Sequence, residues 1–319
     1  MTRQRWELLV LVLAVAALAL LPLAADKFYV QFATKVLIMA IFAMSLDLLV
    51  GHAGLVSLGH AAFFGLSGYL LALVSPQYEA ADFWITLAVS VSGAALLALV
   101  IGLMVLRTGG VYFIMATLAF AQMLYYLFHD TGIAGGSDGI YVHVRPTATL
   151  AGWQPFNLDD FVHFYRLALA AFAGVFVLLR VLLASPFGRV IAGIRVNENR
   201  MRSLGYATSR YKLVCFVIAG ALAGLAGYLA ALQFGVVNPE MLGWHLSGSA
   251  LMMVILGGLG TTFGPVLGAA VLMSLELFLQ SMTLHWQLPL GILIVLVALL
   301  LPRGLAGLSA LRTVRAGSP

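Results

Sequence analysis

The chain has 319 residues, of which 62% are hydrophobic and only 9% charged, and its mean hydropathy is +1.04. A soluble fold carries roughly a quarter charged residues, and this chain would have to expose apolar surface almost everywhere, which water does not tolerate; the bilayer is the consistent solvent. The net charge of +5 does not argue for nucleic acid, because a basic patch needs a solvated face, and the single cysteine, Cys215, excludes an internal disulfide and a Cys-rich metal knuckle.

A spanning helix needs about 20 mostly apolar residues. Ten stretches meet that need, at approximately 8–25, 31–50, 55–74, 83–106, 111–129, 163–184, 213–234, 246–260, 264–284 and 287–302. The expected fold is therefore all-α, a polytopic transmembrane helical bundle of about ten spans forming one domain over 1–319. The first stretch follows Arg3 and Arg5 as a signal peptide would. Its apolar run is long enough to span and more spans follow, so it is read as a retained helix.

Asp47 falls near the inner end of the second span, and Glu276 falls in the middle of the ninth. Ionisable groups at membrane depth are costly and often functional; each of these faces a polar lumen or is paired with a helix end or a basic neighbour. Gly51, Gly54 and Gly59, with Ser57, break up the entrance to the third span. Gly257, Gly258 and Gly260, with Thr261 and Thr262, do the same near the eighth. Unwound backbone at membrane depth is tolerated only where protein or a water-filled cavity satisfies it. Both Gly-rich segments are therefore expected to border a translocation pathway, together with Asp47 and His60. His52 and His60 stand eight residues apart with no third ligand nearby, so no metal site is expected. Gly220, Gly224 and Gly227 share a helix face, as do Gly260, Gly264 and Gly268, which suits either close static packing or helices that part and re-close.

Residues 130–162 form the longest segment on one side, and 185–212 the longest on the other. With the N-terminus inside, the cytoplasmic segments carry Arg3, Arg5, Arg107, Arg180, Arg189, Arg195, Arg200, Arg202, Arg210, Lys212, Arg303, Arg312 and Arg315. The outer segments carry only Lys27, Arg145 and Arg166. This positive-inside bias puts both termini and the 185–212 loop in the cytoplasm, and makes 130–162 an extracytoplasmic loop.

The 185–212 loop is far longer than a simple connection needs. Ser185–Pro186 suits a helix start and Gly205 a helix stop, so a short helix along the cytoplasmic face is expected. That helix either merely fixes the topology or docks another cytoplasmic protein. The chain's only lysines, Lys27, Lys35 and Lys212, do not follow a glycine, so the phosphate loop of a nucleotidase is missing. The chain is not expected to be an enzyme, and an energy source would have to come from a partner.

The run GRVIAGIRVNENRMRSLGYATSRYKL, from Gly188 to Leu213, closely resembles the loop of the membrane permeases of branched-chain amino acid ABC importers of the LivM type. GHAGLVSLGHAAFFGLSGYL at Gly51–Leu70, LRTGGVYFIMATLAFAQM at Leu106–Met123 followed by GGSDG at Gly135–Gly139, and ILGGLGTTFGPVLGA at Ile255–Ala269 match in the same order. The resemblance implies a permease subunit of the bacterial cytoplasmic (inner) membrane, moved by external ATPases through a coupling helix. Gly188, Arg189, Arg195, Glu198, Leu204, Gly205 and Arg210 are its implied coupling residues. The implied partners are a homologous LivH-type permease, two LivG/LivF-type ATPase subunits that use ATP-Mg, a periplasmic substrate-binding protein and the lipid bilayer; no cofactor is implied in this chain. Branched-chain amino acids are the implied cargo, with urea, short amides or aromatic acids as alternatives on the same architecture. A self-contained ion-coupled carrier using Asp47 and Glu276 is the other reading. The chain departs from the family pattern at Asp47, at Leu55 and from Asn199 to Ser203.

Overall fold

The structure, a computed structural model, describes residues 18–22, 25–76, 78–148, 157–301 and 304–307. The expected first span at 8–25 lies for the most part outside the described residues, with 18–22 helical.

Each remaining expected span corresponds to a helix. These are α1 (Lys27–Asp47), α2 (Ala61–Val74), α3 (Phe83–Val105), α4 (Val111–Asp130), α5 (Phe161–Ala184), α8 (Thr208–Phe234), α9 (Trp244–Gly257), α10 (Gly264–Met282) and α11 (Gln287–Leu300). Two shorter helices, α6 (Pro186–Val196) and α7 (Glu198–Ser203), occupy the long basic loop. Among the described residues six helices are long and apolar enough to cross a membrane: α1 with the turn that follows it, α3, α4, α5, α8 and α10. Helices α2, α9 and the apolar part of α11 are shorter than that. The all-α expectation holds apart from one ribbon, in which β1 (Ile140–Tyr141) pairs antiparallel with β2 (Val236–Val237).

Helix boundaries follow local chemistry. Asp82 Oδ1 accepts the backbone N–H groups of Trp84 at 2.8 Å and Ile85 at 3.1 Å and so starts α3. Asp160 does the same for α5 through Val162 at 2.9 Å. Both use a carboxylate to satisfy donors that the first helical turn leaves free. Helix α2 begins at Ala61 rather than 55, because residues 54–60 run through the protein without helical bonding.

The core sits around α1 and α8. From Leu37 to Asp47 α1 is buried on every side, which is why all of that stretch but Ser45 and Asp47 is apolar instead of amphipathic. It packs on α5, α8, α9 and α10, while α8 also packs on α2 and α3. Gly220 and Gly224 bring α8 against Ala98 and Ala94 of α3, and Gly227 brings it against the Phe64 carbonyl of α2; a Cβ at any of the three would overlap its neighbour. The other long helices expose large apolar side chains such as Leu96, Met115 and Val181 on their outer faces, as lipid-facing helices do.

At the end of the bundle opposite the basic loop, residues 130–148 fold as a compact cover. Two 3₁₀ turns, Gly132–Ala134 and Gly136–Asp138, lead into β1. Gly139 has φ 76° and lies against the Val237 carbonyl, so a side chain there would be both strained and blocked. Phe83 N–H donates to the Thr147 carbonyl at 3.1 Å, which fastens the cover to the start of α3.

Candidate functional site

Three stretches far apart in sequence meet at the basic-loop end. The first is the end of α1, where Leu48–Ala53 continues as a π-helical turn and stops at Gly54 in the left-handed region. Residues 54–60 follow as irregular backbone, with Leu55, Ser57, Gly59 and His60 buried. The second is the turn between α9 and α10, where Gly258 and Gly260 have positive φ. The third is α6.

Asp47 Oδ1 accepts the Gly260 N–H at 2.9 Å. The Arg195 guanidinium donates to the Gly51 carbonyl. His52 Nε2 stands 3.8 Å from Asp47 Oδ2. A Cβ at Gly51 would overlap both Asp47 Oδ1 and the Gly260 nitrogen, and one at Gly260 would press on Arg195 and the Gly51 carbonyl. Gly54 lies against the Arg195 stem. Glycine is thus what allows an acid, a cation and two backbone turns into one small volume. The Asp47 side chain, 3% exposed, accepts this one backbone hydrogen bond, with the Arg195 charge close by.

Helix α6 is placed to supply Arg195. Its Val190, Ile191 and Ile194 are buried against the bundle, and Gly188 allows a tight corner because a Cβ would overlap the Leu183 carbonyl at the end of α5. The single expected helix is in fact two. Asn197, with φ −158° and ψ 99°, breaks the chain, and its side chain accepts the Arg200 N–H at 2.9 Å to start α7. Helix α7 ends with Gly205 N–H donating to Arg202 O at 2.9 Å and Tyr206 N–H to Met201 O at 3.2 Å. Gly205 supplies the left-handed residue that this paired-bond ending needs, with φ 88°.

Glu198 turns inward. Its carboxylate accepts from Arg202 Nη2 at 2.8 Å, Thr208 Oγ1 at 3.0 Å and Lys212 Nζ at 3.0 Å. Burial by itself would raise its pKa, but the hydrogen bond and charge of Lys212, helped by Thr208 and Arg202, outweigh that and hold the carboxyl below its usual range. Arg189, Leu204, Gly205 and Arg210 are exposed, and the apolar tips of Val196 and Leu204 stand out at 86% and 65% exposure.

The other residues expected along the pathway each make local contacts. His60 is fully buried, with Nε2 at 2.8 Å from Ser45 Oγ and its ring stacked on Phe42. Ser57 Oγ accepts the Gly59 N–H at 3.3 Å, and Gly59 lies against the Thr117 carbonyl. Thr261 Oγ1 donates to the Gly258 carbonyl at 2.8 Å and accepts the Gly264 N–H at 3.1 Å, which starts α10. Gly260 precedes α10 and so does not share a helix face with Gly264 and Gly268. Gly257, on α9, lies at the crossing with α10 in its place, against the Gly264 carbonyl, while Gly268 lies against the Met253 carbonyl.

Asp47 and Glu276 do not share a site. Glu276 lines a cavity of about 440 Å³ that reaches toward the other end of the bundle, with Lys35 and Gln233 also in its wall. The sequence reading passed over Lys35 and Gln233. In the sequence Lys35 stands out only as one of three lysines, and Gln233 carries no signal until α8 brings it beside α1.

A family profile described as "Branched-chain amino acid transport system / permease component" matches residues 28–301. The chain is 32% identical over 314 residues to the high-affinity branched-chain amino acid transport system permease protein LivM of Escherichia coli strain K12, covering 92% of this chain and 73% of that protein. It is 31% identical to the Salmonella typhimurium LivM, over 94% and 74% of the two chains. A weaker likeness, 28% over 141 residues, relates 44% of the chain to 46% of the E. coli permease protein LivH. No solved structure gives a significant match.

Proposed function

We infer the function from one premise: the chain belongs to the family of branched-chain amino acid transport system permeases. It is a membrane permease subunit of an ATP-driven importer of branched-chain amino acids. It spans the bacterial inner membrane about ten times as a single domain, with both termini and the 185–212 loop in the cytoplasm. It works beside a LivH-type permease, two ATPase subunits that consume ATP-Mg, and a periplasmic binding protein.

The observation that carries the mechanism is the contact of Arg195 with Gly51, next to the Asp47–Gly260 hydrogen bond. The ATPases dock on the outward side of α6 and α7, where Val196, Leu204, Arg189 and Arg210 are exposed. Nucleotide-driven movement of the ATPases displaces α6, and Arg195 passes that displacement to the end of α1 and to the α9–α10 turn together. Both are non-helical or π-helical segments that re-form cheaply, as hinge elements must. Gly257 and Gly268 leave α9 and α10 in backbone contact with few polar bonds to break between them.

Reconstitution tests the reading. The chain with its permease, ATPase and binding-protein partners takes up L-leucine only with ATP. Uptake by this chain alone, driven by membrane potential, would overturn the importer assignment in favour of a self-contained carrier.

A further inference from the structure

The cavity of about 440 Å³ lies between α1, α8, α9 and α10, away from the Asp47 junction, and it combines three kinds of chemistry. Lys35 and Glu276 bring opposite charges, close enough to act on one another electrostatically, yet among the described residues neither forms a salt bridge. Gln233 donates through Nε2 to the Gln31 carbonyl at 2.8 Å, which fixes its amide, while its buried Oε1 has no hydrogen-bond partner. The rest of the wall adds a second carboxylate, Glu240, and the polar Asn238 and Ser249 to apolar groups rich in methionine, Met39, Met241, Met253 and Met273. Ligand sites characteristically pair an apolar wall with a few fixed polar groups in a volume of roughly 300–1,000 Å³.

Lys35 is exposed and Glu276 partly buried, so both charged heads are open to a solute that enters the cavity and could be paired by it. A solute that carries both charges on one small head would pair both.

We propose that this cavity is a substrate vestibule for α-amino acid zwitterions, in which Lys35 binds the carboxylate, Glu276 and Gln233 Oε1 bind the ammonium group, and the methionines receive an apolar side chain. This deepens the importer reading and rests on it. It places selectivity for the charged head in the permease itself as well as in the binding protein. Urea or a short amide, being neutral, would leave both Lys35 and Glu276 uncompensated. Methionine's flexible thioether accommodates several branched side chains without a fixed shape.

The test uses the complete importer in proteoliposomes, in a Cys215→Ala background, with Ser249→Cys in the cavity wall as a reporter. A membrane-impermeant maleimide added from outside should label that cysteine, and millimolar L-leucine should slow labelling several-fold. Isovalerate, which lacks the ammonium group, and urea should leave the rate unchanged. Lys35→Met should weaken protection by roughly ten-fold, the scale of losing one charged hydrogen bond, while the unprotected labelling rate stays the same and so reports an intact cavity. Lys35→Arg should keep the protection. A reporter that never labels, protection by urea equal to that by leucine, or undiminished protection in Lys35→Met would each overturn the vestibule. ATP-driven leucine uptake, measured in the same vesicles, separates the two claims: uptake without protection removes only the vestibule, whereas absence of uptake removes the importer reading beneath it.

Discussion

Asp47 and Gly260, 213 positions apart in the chain, are joined by a 2.9 Å hydrogen bond from the Gly260 backbone to the Asp47 carboxylate. Asp47→Ala should leave the Gly260 N–H without a partner at a largely buried site, which costs about 1–3 kcal/mol. Thermal unfolding in detergent should show a lowered midpoint for Asp47→Ala. Asp47→Asn, which keeps an acceptor at Oδ1, should stay close to the parent. Equal losses in both variants would mean that the negative charge matters there and the hydrogen bond does not.

The tight crossing of α9 and α10 makes a second prediction. Gly268→Ala places a methyl group into the Met253 carbonyl and forces the helices apart, an overpacking cost of about 1–3 kcal/mol or more. Gly174→Ala on α5 meets nothing within 4 Å and should be neutral. The yield of folded, monodisperse protein should separate the two variants.

Arg195 is expected to couple the cytoplasmic loop to the bundle. Arg195→Ala removes the donor to the Gly51 carbonyl, so ATP hydrolysis should continue while leucine uptake per ATP falls by roughly ten-fold, the effect of losing one charge-assisted contact. Arg195→Lys keeps the charge but not the planar fork and should fall between the two. Parallel ATPase and uptake assays on the reconstituted importer measure the ratio directly. An unchanged ratio in Arg195→Ala would remove Arg195 from the coupling path.

Glu198 gives the loop a pH dependence of known sign. Its carboxyl is held below the ordinary value of 4.5, so its contribution to loop stability is complete above that pH and disappears as the pH falls through the lower folded value. Each of its partly exposed ion pairs adds about 0.2–1 kcal/mol. Hydrogen exchange of α7 should therefore be steady from neutral pH down to about 4.5, then quicken in more acidic solution. Glu198→Gln should lack this step, and Glu198→Lys, facing Lys212 and Arg202, should expose α7 at every pH while leaving membrane insertion unchanged.

The long helices were legible because a membrane imposes one simple rule, an unbroken apolar run. That rule located α3, α4, α5 and α10 to within about two residues of their ends. It failed where burial in protein replaces lipid: residues 54–60 are apolar enough to extend α2, yet they run as irregular backbone beside Ser45 and Thr117. The helical character of the basic loop and its stop at Gly205 are legible in the sequence. Its break at Asn197 was missed, although an asparagine before Glu198 is a recognisable helix start. The two glycine-rich segments and Arg195 could be picked out singly, but their meeting is a long-range product of packing. No local pattern ties Gln233 to Lys35, or Asp47 to Gly260.

The short ribbon of Ile140–Tyr141 with Val236–Val237 has a mechanical corollary. Val236 and Asn238 form part of the rim around Lys35 and Glu276, so the opening's width is not set by the surrounding helices alone. It is harnessed to the strap that leaves α4, and a load applied anywhere on that strap reaches the rim through two rungs of backbone.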